Sequence, residues 1–236
     1  MRNGVLCLQT SVLTEIDVLR SLTHDNVIQL YETYETTKYI HLLLPYLEGG
    51  ELFEKIKSKG LYRESDARPV MRNFISALEY LHAKKIVHRD LKPSNIMIDE
   101  ATGRGTCIVD LDTVQPGLVH YDIGDATRSV CNPAGEDAPE LGSVVFDLDL
   151  FTMFYRGYQA HAQDFLSPAD RRHLYDCIHL IPLELGLRFL ADHLAGDVYF
   201  KVRYPGHNLR RALVQFKLAE SIEAREPAIR KVLGER

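Results

Sequence analysis

The chain has 236 residues, 45% hydrophobic and 26% charged, with 28 basic side chains against 33 acidic ones. That apolar share can bury a sizeable core, which excludes a disordered tail or a disulfide-stapled mini-protein. The formal charge of −5 supplies no general basic field for nucleic acid or an anionic membrane surface.

No apolar run approaches the roughly 18–20 residues of a spanning helix. The stretch Met1–Thr14 has one basic residue, Arg2, and an apolar patch at Val5–Leu8 too brief for a secretory core. Cys7, Cys107, Cys131 and Cys177 are scattered without a CxxC pair, so neither zinc nor a disulfide framework is indicated. The expectation is a cytoplasmic protein with no nucleic-acid or membrane partner.

In chain order, Ser11–Ser21 reads as a short helix, with Val12, Ile16 and Leu19 on one face and Glu15 beside it. Val27–Tyr34 and Tyr39–Leu44 read as an antiparallel hairpin turning through Glu35–Lys38. Pro45 ends the second run. Gly49-Gly50 marks a hinge before a short helix at Glu51–Lys57. A longer helix spans about Ala67–Ala83, with Asp66 as its cap, Pro69 in the first turn and Val70, Phe74, Leu78 and Leu81 facing the core. Ile96–Ile98 and Cys107–Val109 read as strands around a turn-rich Glu100–Gly105. From about Val145 the pattern is mostly helical. Asn208 is placed to cap a last amphipathic helix carrying Leu209, Leu213 and Phe216, which Pro227 breaks.

The informative string is His88-Arg89-Asp90-Leu91-Lys92-Pro93-Ser94-Asn95, followed by strand, turn, strand and Asp110. Phosphoryl transfer needs one carboxylate to orient and deprotonate the attacking hydroxyl. It also needs an acid and an amide to hold Mg²⁺ against nucleotide phosphates. Asp90 fits the first role, Asn95 and Asp110 the second, and Lys92 can neutralise charge that develops during transfer. This string is the signature of protein kinases.

Residues 11–98 resemble a serine/threonine protein kinase of the calcium/calmodulin-dependent type. Thr14-Glu15-Ile16 to Leu19 is similar to that family's αC helix, and Leu44-Pro45-Tyr46-Leu47-Glu48-Gly49-Gly50-Glu51-Leu52-Phe53 to its adenine hinge. The resemblance implies ATP and Mg²⁺ as cofactors. Leu44 would be the gatekeeper, the Pro45 carbonyl and Leu47 N–H would meet adenine, Glu51 would border the nucleotide, and Met97 would lie beneath the base.

After Asp110 the pattern changes. Asp110-Leu111-Asp112 stands in place of Asp-Phe-Gly, and the Ala138-Pro139-Glu140 string is isolated. Residues 105–222 resemble the aminoglycoside-phosphotransferase superfamily, above all its N-acetylhexosamine 1-kinase-like members. The matching stretches are Ile108–Gly117, Tyr121–Ala126, Leu185–Leu190, Gly196–Lys201 and Gly206–Leu209. That implies a sugar-like alcohol as acceptor, with Arg128, Arg188, Asp192 and Tyr199 as candidates to line its pocket and Asp125 to brace the Asp110 loop. His173, Cys177 and His179 could converge at helical spacing, but nothing else in the sequence supports a metal there.

Before Glu15 there is one glycine, Gly4, and one basic residue, Arg2, so neither a glycine-rich phosphate loop nor a strand lysine is expected. The expected fold is α+β, protein-kinase-like and two-lobed. Its truncated N-terminal β lobe would span residues 1–48 and a mainly helical catalytic and substrate lobe 49–236, with self-association through the incomplete lobe. The expected activity is an ATP-dependent phosphotransferase of reduced turnover acting on a small sugar-like alcohol. The alternatives are a serine/threonine protein kinase, with a protein substrate, and a catalytically dead binding module.

Overall fold

The computed structural model describes residues 16–59, 63–91, 95–99, 105–109, 114–162 and 165–234. The chain divides into two compact units, residues 1–118 and 119–236. The sequence reading instead divided it after residue 48. The hinge sits in the same unit as the 88–99 segment because it is strapped to it, as shown below.

The first unit is mixed α+β. Helix α1 (residues 16–21) and helix α3 (Glu64–Ala83) close over one core. In it Val18, Leu19 and Leu22 meet Ala77, Leu78 and Leu81, together with Val27, Ile28, Ile86 and Ile108. Strands β1 (Glu32–Glu35) and β2 (Ile40–Leu43) form the antiparallel hairpin. Thr36 closes its turn by donating from its hydroxyl to the Tyr39 carbonyl and accepting from the Tyr39 N–H. The strand expected from Val27 divides in two. Val27 bridges in parallel to Ile108, where Ile28 N–H donates to the Ile108 carbonyl and Ile108 N–H to that of Asn26. The chain pairs with β2 from Tyr31 onward, whose N–H donates to the Leu43 carbonyl at 2.9 Å. Both hairpin faces are largely exposed, Tyr31, Tyr34, Tyr39, Ile40 and Leu43 included.

Helix α2 (Leu52–Lys59) packs Leu52 against Ile96 and Ile98, with Val70 and Phe74 of α3 closing the cluster. Asp66 is not the cap of α3. The N-cap is Arg63, without a side-chain cap bond, and Asp66 lies in the first turn, where its charge favours the helix dipole. Pro69 lies inside the helix, where its missing N–H removes one main-chain bond. Strand β3 (Ile86–Val87) pairs with β6 (Gln115–Pro116), and β4 (Ile96–Asp99) with β5 (Gly105–Ile108), both antiparallel.

The second unit is helical among its described residues. It comprises α4 (His120–Val130), α5 (Leu148–Ala162), α6 (Pro168–Arg172), α7 (Leu174–Leu194), α8 (His207–Glu223) and α9 (Glu226–Leu233). Its core includes Phe146, Phe151, Tyr155, Leu174, Ile178, Leu218, Ile222 and Ile229. Two close approaches fix α7. A Cβ on Gly124 of α4 would stand 2.6 Å from Ile181, and one on Gly186 would stand 2.6 Å from Phe216 of α8. Pro227 does break the final helical run, since α8 stops at Glu223 and α9 starts with Pro227 in its first turn, the position that tolerates a missing N–H. No helix among the described residues is long and apolar enough to cross a membrane.

Candidate active site

The segment 84–109 is built from two reversals and a hairpin. After α3 the chain turns at Lys85 (φ 60°) into the buried strand β3, and it turns again at Arg89 (φ 65°). A left-handed backbone at a residue with a Cβ costs on the order of 1–2 kcal/mol. At Arg89 it brings the Asp90 N–H back to 3.3 Å from His88 Nδ1. Because Nδ1 accepts there, Nε2 carries the proton. It lies 3.1 Å from the Val109 carbonyl and donates to it. His88 is fully buried. One imidazole thus ties the backbone of Asp90 to the residue immediately before Asp110.

Asn95 completes the arrangement. Its Nδ2 donates to a carboxylate oxygen of Asp90 at 3.0 Å and to the Asp90 carbonyl at 3.0 Å. Asn95 is buried, and its own carbonyl accepts from Val109 N–H at 3.0 Å, extending the β4–β5 ladder by one rung. The hairpin therefore brings Asp90, Asn95 and the approach to Asp110 together, as the sequence spacing implies. Lys92 and Asp110 themselves lie outside the described residues, as does Glu15. Oxygen donors such as the Asp90 carboxylate and Asn95 Oδ1 suit a hard cation such as Mg²⁺.

The hinge residues reach this centre through the main chain. Glu51 forms an antiparallel bridge with Met97, and Ile98 N–H donates to the Gly50 carbonyl at 2.9 Å. Gly49 admits no side chain, because a Cβ there would stand 2.2 Å from the Ile98 carbonyl oxygen. Glu51 and half-buried Met97 are thus adjacent. Leu47 packs on the first unit's core, Pro45 is half-buried, and Leu44 is 41% exposed. A gatekeeper is expected to be covered; Leu44 follows a hairpin whose faces are themselves exposed.

The residues proposed for an acceptor pocket fall into separate roles within the second unit. Arg128 donates to Asp125 from Nε and Nη2, at 3.0 and 2.6 Å, and pairs with Glu136 at 3.4 Å. Arg188 is paired with Glu184 of its own helix at 3.6 Å. Asp192 is buried and accepts from the N–H groups of Val198, Tyr199 and Phe200 at 2.8–3.0 Å, and from Asn208 Nδ2 at 2.9 Å. Those three N–H groups hold the Asp192 carboxyl below its ordinary range, outweighing the opposing effect of burial. Tyr199 is exposed. Asn208 is therefore not the cap of α8, a place taken by Gly206 (φ 80°); its amide instead cross-links Asp192 and Asp197. Leu209 and Leu213 face outward, while Ala212, Gln215 and Ala219 face the core. Cys177 donates its thiol to the His120 carbonyl and His173 pairs with Asp176. No group of three or more metal-binding side chains occurs among the described residues.

The role of His88 as the tie between Asp90 and Val109 was not read from the sequence, where it stands only as the first residue of the 88–95 string. Residues 3–117 match the protein kinase domain. The chain is 39% identical over 132 residues to a probable myosin light chain kinase of Dictyostelium discoideum, covering 55% of this chain and 41% of that protein. It is 45% identical over 133 residues to a calcium/calmodulin-dependent protein kinase type 1 of Macrobrachium nipponense, covering 56% and 37%. The corresponding kinase of Caenorhabditis briggsae is 43% identical over 134 residues, with 56% and 36% covered. The chain thus spans well under half the length of these relatives. Over residues 3–117 it is protein-kinase-like, and its resemblance is to the calcium/calmodulin-dependent type.

Proposed function

We propose that this chain binds ATP with Mg²⁺ and transfers the γ-phosphoryl group to a hydroxyl, the acceptor being a serine or threonine of a protein. The observation that carries the reading is the pair of 3.0 Å bonds from Asn95 to Asp90, within a segment matching the protein kinase domain. Relatives named as kinases of the calcium/calmodulin-dependent and myosin light chain types favour the protein acceptor over a sugar.

When bound, MgATP supplies the phosphoryl group and a metal that neutralises its oxygens. Asp90, held in one orientation by Asn95, receives the proton as the acceptor oxygen bonds to phosphorus and the bond to the leaving ADP oxygen breaks. Lys92 offsets charge that builds on the transferring group. Asn95 Oδ1 and Asp110 would hold the cation. The Pro45 carbonyl and Leu47 N–H fix the adenine, flanked by Leu44, Glu51 and Met97.

A small sugar-like alcohol is the second reading. It is favoured by one observation: the kinase-domain match stops at residue 117, beside the boundary of a separate helical unit whose sequence resembles small-molecule kinases.

The test is transfer from γ-labelled ATP to a basic serine/threonine peptide and to a panel of sugars, using the 236-residue chain. Label in the peptide that is lost in Asp90→Ala supports the proposal. Label in a sugar alone replaces it with the second reading. A Mg²⁺-dependent thermal shift with ATP, abolished by Asp110→Ala but without transfer, would leave a binding module. Neither transfer nor shift overturns ATP chemistry altogether.

A further inference from the structure

Helix α7 is apolar around most of its circumference, as expected of a helix enclosed by others. Gly124 of α4 and Phe216 of α8 press on it closely at Ile181 and Gly186. Yet one face is uncovered. Leu180, Leu187 and Leu194 are 57%, 60% and 78% exposed, and Glu184 and Ala191 between them are exposed as well. The spacing along 180, 184, 187, 191 and 194 alternates four and three residues, which is a coiled-coil seam.

The order of side chains on this seam selects its occupant. Centred on Leu187 it reads Leu, Glu, Leu, Ala, Leu. A second copy laid antiparallel sets Leu187 against Leu187, Leu180 against Leu194, and Glu184 against the small Ala191. The seam is thus nearly its own complement under a two-fold axis. A parallel pair would instead press Glu184 on Glu184. Arg188, 3.6 Å from Glu184 on the same helix and half exposed, stands where it can neutralise the Glu184 of the other copy.

We infer that α7 is the interface of an antiparallel homodimer, formed by the Leu180–Leu194 face of two copies of this chain. The seam is five side chains of one helix face, against the roughly 20–30 residues a side of a standard interface. Association is therefore expected at roughly micromolar concentrations. The inference does not depend on the phosphotransferase reading.

Sedimentation velocity of the whole chain, from sub-micromolar to hundreds of micromolar, tests it. The wild type should shift from monomer to dimer, while Leu187→Glu should stay monomeric with unchanged helical circular dichroism. A wild type that is monomeric throughout, or a Leu187→Glu protein that still dimerises (through the exposed hairpin, for example), overturns the inference. Orientation is tested by adding one cysteine and oxidising with oxidised glutathione, which accepts the two thiol hydrogens as the disulfide forms, with wild type as background. Leu187→Cys should cross-link to itself, and Leu180→Cys should cross-link to Leu194→Cys in a mixture. Leu180→Cys cross-linking to itself above background would mean a parallel pair and sink the proposal.

Discussion

The side-chain amide of Asn95 holds Asp90 at two points, 3.0 Å from a carboxylate oxygen and 3.0 Å from the main-chain carbonyl. Both contacts come from a buried side chain at the mouth of the β4–β5 hairpin. Asn95→Ala should lower stability by about 1–3 kcal/mol, since a buried donor and both of its bonds to Asp90 are lost. Asn95→Asp should be worse, because it places a second carboxylate beside the first. Urea midpoints rank the three proteins. Label transfer should fall about 10²-fold or more in Asn95→Ala, as expected when a general base loses its alignment. Unchanged midpoint and transfer in that variant would show that Asn95 does not hold Asp90.

His88 is the second support of the same loop. His88→Phe keeps a planar aromatic ring but removes the bonds to Asp90 N–H and the Val109 carbonyl. Losing both bonds of this buried imidazole to half-buried main-chain groups should cost about 1–3 kcal/mol. Hydrogen exchange gives the local readout: the amides of Asp90 and Val109 should exchange faster, while those of α8 stay protected. Equal acceleration in both regions would show that the imidazole serves the fold generally rather than this loop.

The loop and hairpin were legible because their information is local. Eight consecutive residues and two short β-prone runs specify a helix end, a reversal and a strand pair without long-range contacts. The errors fall where partners are distant in sequence. Asn208 has the composition of a cap, but Asp192, sixteen positions earlier, claims its amide. Val27 has the pattern of a hairpin strand, but Ile108 takes its backbone. Helix α4 was not read as a helix from the sequence, although Val119, Ile123 and Ala126, all buried, recur at helical spacing. Of the apolar residues named for α8, Leu209 and Leu213 face outward while Phe216 presses on Gly186 of α7. Both sides of the helix carry apolar residues, and only the packing against α7 decides between them.

Gly49 and Gly50 separate two causes of glycine preference. At Gly49 a Cβ would lie 2.2 Å from a backbone oxygen of β4, whereas at Gly50 (φ 68°) it would meet nothing within 4 Å. Gly49→Ala should therefore force the hinge off β4, destabilising by about 1–3 kcal/mol as overpacking does and weakening any ATP-dependent thermal shift. Gly50→Ala should cost only about 1–2 kcal/mol of left-handed strain and keep that shift. Thermal melts of both variants with and without MgATP check the contrast. Equal effects of the two would contradict the close approach of hinge and strand.

Acid stability should depend on the second unit's carboxylates. Asp192 and Asp137 both sit below the ordinary carboxylate range. Burial opposes this at each, but it is outweighed by three backbone N–H groups at Asp192 and by His207 and Arg211 at Asp137. A carboxyl lowered in the folded state contributes stability that is fully present above its unfolded value, about 4, and is lost as pH falls through the folded value. Melting temperature should thus hold from pH 7 to about 5 and decline steeply below about 4. Asp192→Asn should start lower at neutral pH, because an amide cannot accept all four donors as strongly, and it should decline less steeply in acid. Parallel curves for the two proteins would show that the 198–200 loop is not held by the Asp192 charge.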